Sequence, residues 1–350
     1  MKAGVLYADR DIRVGEMPEP ACGPDDVLIE SAYAGLCGSD LHIYRGELRG
    51  RVRHPAVLGH EFGGTVVEVG SAVRGVSTGD RVAVDPIVPC HGCVACLTGR
   101  PNACRSLKLL GVDLAGGLGR YVAASASRVL RLPDSVAFKH APMVEVYGLA
   151  HHILGRGRVQ PGESVAVLGA GKLGLAVLDV LRHAIGPAIT LVTDVQPVRL
   201  ATAAKLGADC VVDVRAEDPV ERVLVLTDGV GVDCVIEAIG HFHEVPGRQA
   251  PLAEAVRMVR SAGRIVTAGL GEQLSPVHFK TLVLKEAEII ASRTSLGEMS
   301  RALGLLAKGA LHPDLLITDE VPLREVTMAF ATIDREAPDT IKVVVDVRDA

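Results

Sequence analysis

The stretch SVAVLGAGKLG, residues 164–174, decides the fold class of this chain. Its first five residues form an apolar run of strand length, and a Gly-x-Gly-x-x-Gly pattern follows at the start of a helix-like segment. Gly169 permits a tight turn, Gly171 lets the backbone approach a pyrophosphate, and Gly174 lets helix and strand pack closely. The helix N-terminus, which carries Lys172 and Leu173, would face the phosphates. The stretch therefore predicts a dinucleotide-binding unit.

Asp194 ends the next strand-like run, residues 189–194, and bears on the choice of dinucleotide. An acidic side chain at this place accepts hydrogen bonds from the adenosine ribose hydroxyls and repels a 2′-phosphate, so it predicts NAD over NADP. Arg199 favours NADP as a minor alternative, because an arginine near this position can bind the 2′-phosphate. The alternative role of Asp194 is a helix cap before Pro197.

Apolar strands and helical stretches alternate from residue 161 to about residue 268. This alternation predicts an α/β domain with a doubly wound parallel sheet. Residues 1–148 instead contain short Val-rich pieces between turn signals, which is typical of a mostly antiparallel β domain. We therefore predict a β domain at 1–148, a nucleotide-binding domain at 149–292, and a short segment, 293–350, that completes the β domain.

Composition narrows the classes of function. The length of 350 residues suits two domains. The balance of 37 Lys plus Arg against 42 Asp plus Glu gives a formal charge of −5, which argues against binding to nucleic acid or anionic lipid. No apolar run approaches the roughly 18 residues of a membrane helix, and no export signal is visible. These features predict a cytoplasmic protein.

Four of the eight cysteines crowd into one loop-like stretch, CHGCVACLTGRPNAC, within a lobe at residues 86–108. Four thiolates at this spacing can surround one ion, and Zn²⁺ is the expected one, with an iron–sulfur cluster as the alternative. Because sulfur fills all four positions, this zinc would be structural. A zinc-ribbon module that binds nucleic acid is a second alternative, against which the net acidity speaks. The ligands are Cys90, Cys93, Cys96 and Cys104.

A second, mixed ligand set is suggested by two Gly-flanked turns. Cys37 lies in GLCGSD, and His60 and Glu61 lie in GHEFGG. A thiolate, an imidazole and a carboxylate with one position left open are what a catalytic zinc requires. Each residue alone is a weak indication, but together they predict a second metal site.

The motifs GLCGSDLH, LGHEFGGTVVEVG, GDRVAV, the four-cysteine lobe and GAGKLG occur in one order along nearly the whole chain. In this order they resemble the zinc-dependent medium-chain dehydrogenase/reductase family, close to its sorbitol (polyol) and threonine dehydrogenase branch. The resemblance implies a GroES-like catalytic domain, a Rossmann domain, and hydride transfer between NAD and a secondary hydroxyl whose acidity zinc increases.

The resemblance also implies roles for single residues. Cys37 and His60 correspond to ligands of the catalytic zinc, and Glu61 to a carboxylate that binds this ion directly or through water. Glu145 in MVEVYG corresponds to a further carboxylate ligand, although the proline that follows it in the family is absent here. Ser39 and His42 resemble the hydroxyl and imidazole that pass the proton to solvent; otherwise they are a turn cap and a surface residue.

The substrate is less defined by the sequence. Arg293 follows the last predicted strand of the nucleotide domain, where polyol-acting relatives place an arginine near substrate hydroxyls; it could equally pair with a carboxylate. We predict a polyol, sugar or sugar acid, with a hydroxy amino acid such as L-threonine as the alternative. A zinc-independent quinone reductase would keep the fold and lose the ligands. The family also implies a homo-oligomer, a dimer or tetramer.

Four further histidines invite a metal interpretation that we do not favour. His151 and His152 are predicted to cap or pack a helix, and His241 and His243 to lie in a loop.

Overall fold

The structure, a computed structural model, describes residues 1–48, 50–240, 245–271, 274–335 and 337–348. The strands are β1 (Lys2–Ala8), β2 (Asp11–Glu16), β3 (Asp26–Gly35), β4 (Ala56–Val57), β5 (Glu61–Val69), β6 (Arg81–Val84), β7 (Ile87–Val88), β8 (Lys108–Leu109), β9 (Tyr121–Ser125), β10 (Val129–Arg131), β11 (Ser164–Leu168), β12 (Ile189–Asp194), β13 (Cys210–Asp213), β14 (Val232–Glu237), β15 (Val259–Thr267), β16 (Glu288–Ala291), β17 (Ile317–Pro322) and β18 (Lys342–Asp346). The helices are α1 (Gly38–Tyr44), α2 (Val94–Leu97), α3 (Ala141–Arg156), α4 (Lys172–Val180), α5 (Pro197–Lys205), α6 (Pro219–Leu226), α7 (Pro251–Met258), α8 (Phe279–Lys285), α9 (Met299–Ala307), α10 (Pro313–Leu316) and α11 (Val326–Asp334).

The chain divides into two compact units. The first unit comprises Met1–Val146, Met299–Lys308 and Pro313–Ala350, and the second comprises Tyr147–Glu298 and Gly309–His312. The first unit is thus built from stretches far apart in the sequence.

The first unit is organised around β3, the longest strand of its main sheet. β3 pairs along its whole length with β5 in the antiparallel sense, and on its other side with β9 and then β18. The main sheet has the order β10-β6-β5-β3-β18-β17, and a smaller sheet has the order β2-β1-β4. Mostly aliphatic side chains fill the core of the first unit, because the chain has few aromatic residues.

The second unit contains one six-stranded sheet in the order β13-β12-β11-β14-β15-β16. All its strand pairs are parallel, and β11, β12 and β14 are almost fully buried. Burial on both faces explains why these strands are continuous apolar runs and do not alternate in polarity. The predicted α/β fold class is confirmed: one unit is mostly antiparallel, and the other contains a doubly wound parallel sheet.

The helix after the glycine loop differs in detail from the sequence pattern, which predicts one helix over residues 172–185. α4 ends at Val180, and a single π-helical turn, Leu181–Ile185, continues it to Gly186 in the left-handed conformation. Among the described residues, no helix is both long enough and apolar enough to span a membrane.

Candidate active site and cofactor sites

Two neighbouring strands of the first unit bring the mixed ligand set together. Gly35 at the end of β3 pairs with Glu61 at the start of β5. Cys37 follows two residues after Gly35 as the N-cap of α1, and His60 immediately precedes β5. As a result, the ligand atoms of Cys37, His60 and Glu61 all lie within 4.8 Å of one another. A single ion can therefore be reached by all three side chains.

Asp40 lies behind the imidazole ring of the histidine in this set. It is fully buried, its Oδ2 accepts a hydrogen bond from Cys37 N at 2.9 Å, and its Oδ1 lies 3.5 Å from His60 Nδ1. His60 Nε2 points the other way, 3.9 Å from Glu61 Oε1 and 3.4 Å from Ser39 Oγ. A carboxylate behind the second ring nitrogen is the usual support of a metal-bound histidine. Asp40 is part of the motif GLCGSD, but the motif alone does not indicate this role.

The ligand set of Cys37, His60 and Glu61 carries an excess of negative charge, which favours a bound cation. Burial by itself would lower the pKa of His60, but the negative charges of Asp40 and Cys37 outweigh it, and this pKa lies well above its ordinary value. The excess of negative groups that stabilises an imidazolium would stabilise a divalent ion equally well. The donor set therefore fits Zn²⁺.

Glu61 has a buried partner that the sequence did not indicate. Its Oε2 contacts Lys342 Nζ, which also donates a hydrogen bond to Leu36 O at 2.8 Å. The side chains of Glu61 and Lys342 are 1% and 0% exposed. With Oε2 held by the lysine, Oε1 is the oxygen on the side of His60. Lys342 begins β18, where the strand pattern gave no reason to single out its side chain.

Three further residues of the first unit are predicted at the active site from the sequence, and they differ in burial and in distance from the ligand set: Glu145, Ser39 and His42. Glu145 is buried in the first half of α3, but it does not join the three residues whose ligand atoms lie within 4.8 Å. Ser39 lies beside His60, with its Oγ 3.4 Å from His60 Nε2. His42 lies on α1 with its Nδ1 against Glu47, and its side chain is 26% exposed. Ser39 and His42 thus lie on one short helix between the ligand set and solvent.

The four lobe cysteines form the second ligand set. Their sulfur atoms lie within 4.8 Å of one another, with Cys93 Sγ 3.5 Å from Cys96 Sγ and Cys90 N 3.4 Å from Cys104 Sγ. Backbone N–H groups, first that of Cys96, lower the pKa of Cys93 to about 6. Desolvation, and then hydrogen bonds with Cys93 and Cys104, raise the pKa of Cys96 to about 12. The four sulfurs thus do not all ionise by themselves, and four thiolates this close together need a cation between them; the set fits a structural Zn²⁺.

The glycine loop of the second unit has the geometry expected for a phosphate-binding turn. Gly169 has a φ of +92°, which favours glycine, and its N–H bonds to Thr193 O at 2.9 Å. A Cβ on Gly174 would lie 1.8 Å from Gly169 O, whereas a Cβ on Gly171 would meet nothing within 4 Å. Gly171 is the N-cap of α4, so Lys172 and Leu173 form its first turn. The space beside Gly171 suits a pyrophosphate at the helix N-terminus.

Asp194 supports this loop directly. Its Oδ2 accepts a hydrogen bond from Ala170 N at 2.7 Å, and its Oδ1 accepts from Val195 N and Gln196 N, both at 2.8 Å. Arg199 Nη1 lies 4.0 Å from Asp194 Oδ1. The carboxylate therefore joins the end of β12 to the glycine loop, and it does not cap α5, whose N-cap is Gln196.

Replacing Gly174 by alanine is expected to weaken NADH binding by about tenfold or more, because the new methyl group would collide with the Gly169 carbonyl and push α4 away from the loop. Titration of NADH fluorescence measures the dissociation constant. Gly155→Ala is the matched control, since Gly155 lies within α3 of the same unit and a Cβ there meets nothing within 4 Å. Wild-type affinity in Gly174→Ala would contradict this role.

The remaining histidines and Arg293 are placed as follows. His151 and His152 are buried within α3, and His152 Nδ1 lies 2.8 Å from Glu298 Oε1, so they pack in the second unit. Arg293 is exposed two residues after β16 ends. His241 and His243 lie outside the described residues.

A parallel sheet with a dinucleotide-type glycine loop, together with one closed and one open set of zinc ligands, defines a nucleotide-dependent metalloenzyme. Comparison with known proteins identifies the family. Residues 23–134 match the model of the alcohol dehydrogenase GroES-like domain, and residues 173–308 match that of the zinc-binding dehydrogenases.

Three relatives align over nearly the full length. Sorbitol dehydrogenase of Bacillus subtilis is 32% identical over 349 residues, covering 99% of this chain and 97% of the relative. L-threonine 3-dehydrogenase of Bacillus velezensis is 33% identical over 323 residues, covering 90% of each chain. The structure of RspB from Escherichia coli CFT073, an alcohol dehydrogenase in complex with NADH, superposes with a TM-score of 0.90 at 31% identity and covers 99% of both chains.

This chain belongs to the zinc-dependent medium-chain alcohol dehydrogenase superfamily. The resemblance predicted from the motifs is thereby confirmed, as are an oxidoreductase and its zinc and nicotinamide cofactors. Membership of this family explains the four-cysteine lobe as a zinc site of a dehydrogenase, so the alternative of a zinc-ribbon module that binds nucleic acid is not needed. The convergence of Cys37, His60 and Glu61 also argues against the zinc-independent quinone reductases.

Proposed function

We propose that this protein is a zinc- and NAD-dependent polyol dehydrogenase, which oxidises a secondary hydroxyl of a polyol, sugar or sugar acid. The observation that carries the proposal is the convergence of a thiolate, an imidazole and a carboxylate within 4.8 Å in a chain of this family. Similarity to a sorbitol dehydrogenase supports the substrate class. Residues 1–148 and 293–350 would form the catalytic domain and residues 149–292 the NAD-binding domain, which the bounds of the two compact units support.

In this proposal Cys37, His60 and Glu61 hold the catalytic zinc, and Glu145 is available as a further carboxylate ligand. When bound, zinc increases the acidity of the substrate hydroxyl, and NAD accepts the hydride. Asp40 keeps the His60 ring oriented with Nε2 towards the other two ligands. Gly169, Gly171 and Gly174 hold the cofactor pyrophosphate, with the backbone of Lys172 and Leu173 at the helix N-terminus.

The proton released from the substrate hydroxyl would leave through α1. Ser39 Oγ lies 3.4 Å from His60 Nε2 and can accept this proton while passing on its own. His42, three residues further along the helix and partly exposed, would transfer it to solvent with the help of its partner Glu47.

A substrate panel tests the function. Polyols, aldoses, sugar acids and L-threonine are each incubated with NAD and with NADP, and NADH or NADPH formation is followed by absorbance. We expect the highest kcat/KM with NAD and a polyol, sugar or sugar acid. Turnover confined to L-threonine would favour the second candidate, a hydroxy amino acid dehydrogenase, which the similarity to L-threonine 3-dehydrogenase supports. Arg293 would then contact a carboxylate in place of hydroxyls.

Replacing Asp194 by serine is expected to lower kcat/KM for NAD by about 10- to 100-fold, because the hydrogen bonds of a charged group contribute about 1.5–3 kcal/mol. The loss of the carboxylate also removes the repulsion of a 2′-phosphate, so the ratio of NADP to NAD activity should rise, with Arg199 close by. Initial rates with both dinucleotides measure this ratio. An unchanged ratio would show that Asp194 only braces the loop.

We further propose a cytoplasmic homo-oligomer, most simply a tetramer. Large apolar side chains are exposed in the segment 270–289 beside the edge strand β16, and two more are exposed on α2 of the cysteine lobe. Such patches commonly mark contacts between subunits. Sedimentation should give the mass of a tetramer, and Phe279→Ser and Leu97→Ser should each reduce it. None of the eight cysteines forms a disulfide, which supports a reducing compartment that fractionation of the source cells can test.

A further inference from the structure

A buried carboxylate in the second unit has no part in the proposed reaction. Asp179 lies in α4 among buried apolar neighbours, including Leu178 and Val180, and is 0% exposed. Carboxylates are almost never fully buried unless they are paired or bind a cation. The partners of Asp179 therefore indicate what this position does.

Each oxygen of Asp179 meets a different set of groups. Oδ2 accepts hydrogen bonds from Tyr147 Oη at 2.6 Å and from His312 N at 2.7 Å. Oδ1 lies 2.9 Å from His183 Nδ1 and 2.9 Å from His312 Nδ1, and His183 Nδ1 is also 3.0 Å from the backbone oxygen of Asp179. Oδ2 is thus held by two donors, while Oδ1 is directed between two imidazole nitrogens. Neither lysine nor arginine is among these contacts of Asp179.

We propose that Asp179, His183 and His312 form a divalent-metal site, separate from both zinc sites of the first unit and suited to Zn²⁺. The three ligand atoms lie within 4.8 Å of one another. Zinc bonds to imidazole and carboxylate of about 2.0–2.2 Å, at angles between a right angle and the tetrahedral one, separate nitrogen from oxygen by about 2.9–3.4 Å. The observed 2.9 Å separations lie at the lower end of this range.

The charge and exposure of the cluster also suit a metal ion. Metal binding uses neutral imidazoles, and beside these the buried carboxylate would have no full counter-charge other than the divalent ion. The side chains of His183 and His312 are 36% and 41% exposed, so an ion can arrive from solvent and keep water as its remaining ligand. Each ring would coordinate through Nδ1 and carry its proton on Nε2. Two imidazoles and one carboxylate are an established ligand set for zinc.

The backbone around the cluster holds two of its members in place. His183 lies in the π-helical turn Leu181–Ile185, a type of local widening that is frequent at functional sites. His312 lies in the segment Gly309–His312, which packs with the second unit although the residues on either side of it do not. Bound metal would therefore tie this segment to α4 and stabilise the folded second unit, since an ion that binds only the folded state favours it.

The experiment measures zinc bound to the full-length enzyme at equilibrium. Wild-type protein and the variant His183→Asn/His312→Asn are dialysed against the same low concentration of Zn²⁺, and protein-bound zinc is determined by mass spectrometry. We expect about three equivalents per chain in the wild type and about two in the variant. His278→Asn is the control, because His278 is an exposed histidine of the same unit outside the cluster, and asparagine can keep its N-cap role.

Anomalous diffraction at the zinc edge from wild-type crystals should place the additional ion between Asp179 and the two histidines. Circular dichroism and NADH binding report whether the double variant is folded, and Asn side chains retain hydrogen-bonding capacity towards Asp179. Equal zinc content in the wild type and the folded double variant would overturn the proposal and leave the cluster as a hydrogen-bonded network. An extra zinc that both proteins retain would also overturn it, since that ion would be bound elsewhere.

Discussion

Cys37→Ala is expected to lower kcat/KM by about 10³-fold or more while leaving the affinity for NADH unchanged. Cys37 supplies the only thiolate of the open ligand set, and without it His60 and Glu61 are left to hold the ion. Bound zinc should fall by about one equivalent per chain. Steady-state kinetics, metal analysis and NADH fluorescence titration measure the three effects on the same preparation.

The matched control for this prediction is Cys22→Ala. Cys22 lies in the same unit, and its thiol donates to backbone carbonyl oxygens, including Asp26 O at 3.4 Å, without belonging to either ligand set. Its loss should change neither turnover nor zinc content. Full activity of Cys37→Ala, or a loss of zinc from both variants, would refute the assignment of the catalytic site.

Lys342→Met should lower the free energy of unfolding by about 3–5 kcal/mol, the second largest effect we expect. Methionine has a similar length but no charge, so Glu61 would keep a buried carboxylate without its partner, and Leu36 O would lose a donor. Urea-induced unfolding measures the change, with every variant first dialysed against a chelator so that zinc bound through Glu61 does not enter the comparison.

A double-mutant cycle isolates the pair. In Glu61→Gln/Lys342→Met both charges are absent, so the double variant should be more stable than Lys342→Met alone. If the effects of the two single substitutions simply added, the contact between the two side chains would contribute nothing, and Lys342 would be an ordinary packing residue. Lys342→Arg is not a conservative substitution at this position. A Cβ added to Gly35 would lie only 2.5 Å from Lys342 Nζ, so little space remains around this ammonium group for the larger guanidinium.

The features that the sequence predicts well are those carried by short, local patterns. The glycine loop, the four-cysteine spacing and the apolar runs of the parallel sheet each lie within a few dozen residues, and their physical reasons are local as well. The structure differs where helix length depends on packing. The sequence pattern predicts one helix over residues 172–185, but a π-helical turn begins at Leu181, and within it His183 lies against Asp179.

The residues that the sequence does not reveal act through contacts between distant segments. Lys342 lies 281 residues from Glu61, and His312 lies 133 residues from Asp179. No periodicity or spacing connects such pairs, because each partner alone is typical of an ordinary strand or loop. Asp40 differs from these pairs because it belongs to the motif GLCGSD, but its approach to His60 Nδ1 depends on the turn that α1 makes after Cys37.

The position of β18 between β3 and β17 has a consequence for synthesis on the ribosome. The backbone of β18 completes the sheet beside β3, and its Lys342 contacts the carbonyl of Leu36, which was translated 306 residues earlier. Because translation adds about 5–20 residues per second, tens of seconds pass between the synthesis of β3 and that of β18. During this time one edge of β3 is partly unpaired and Glu61 lacks its lysine partner. The nucleotide sheet, whose strands lie between residues 164 and 291, emerges during that interval and needs no later strand. Nascent chains stalled before residue 342 should therefore protect the parallel sheet from protease while the antiparallel unit remains open to chaperones.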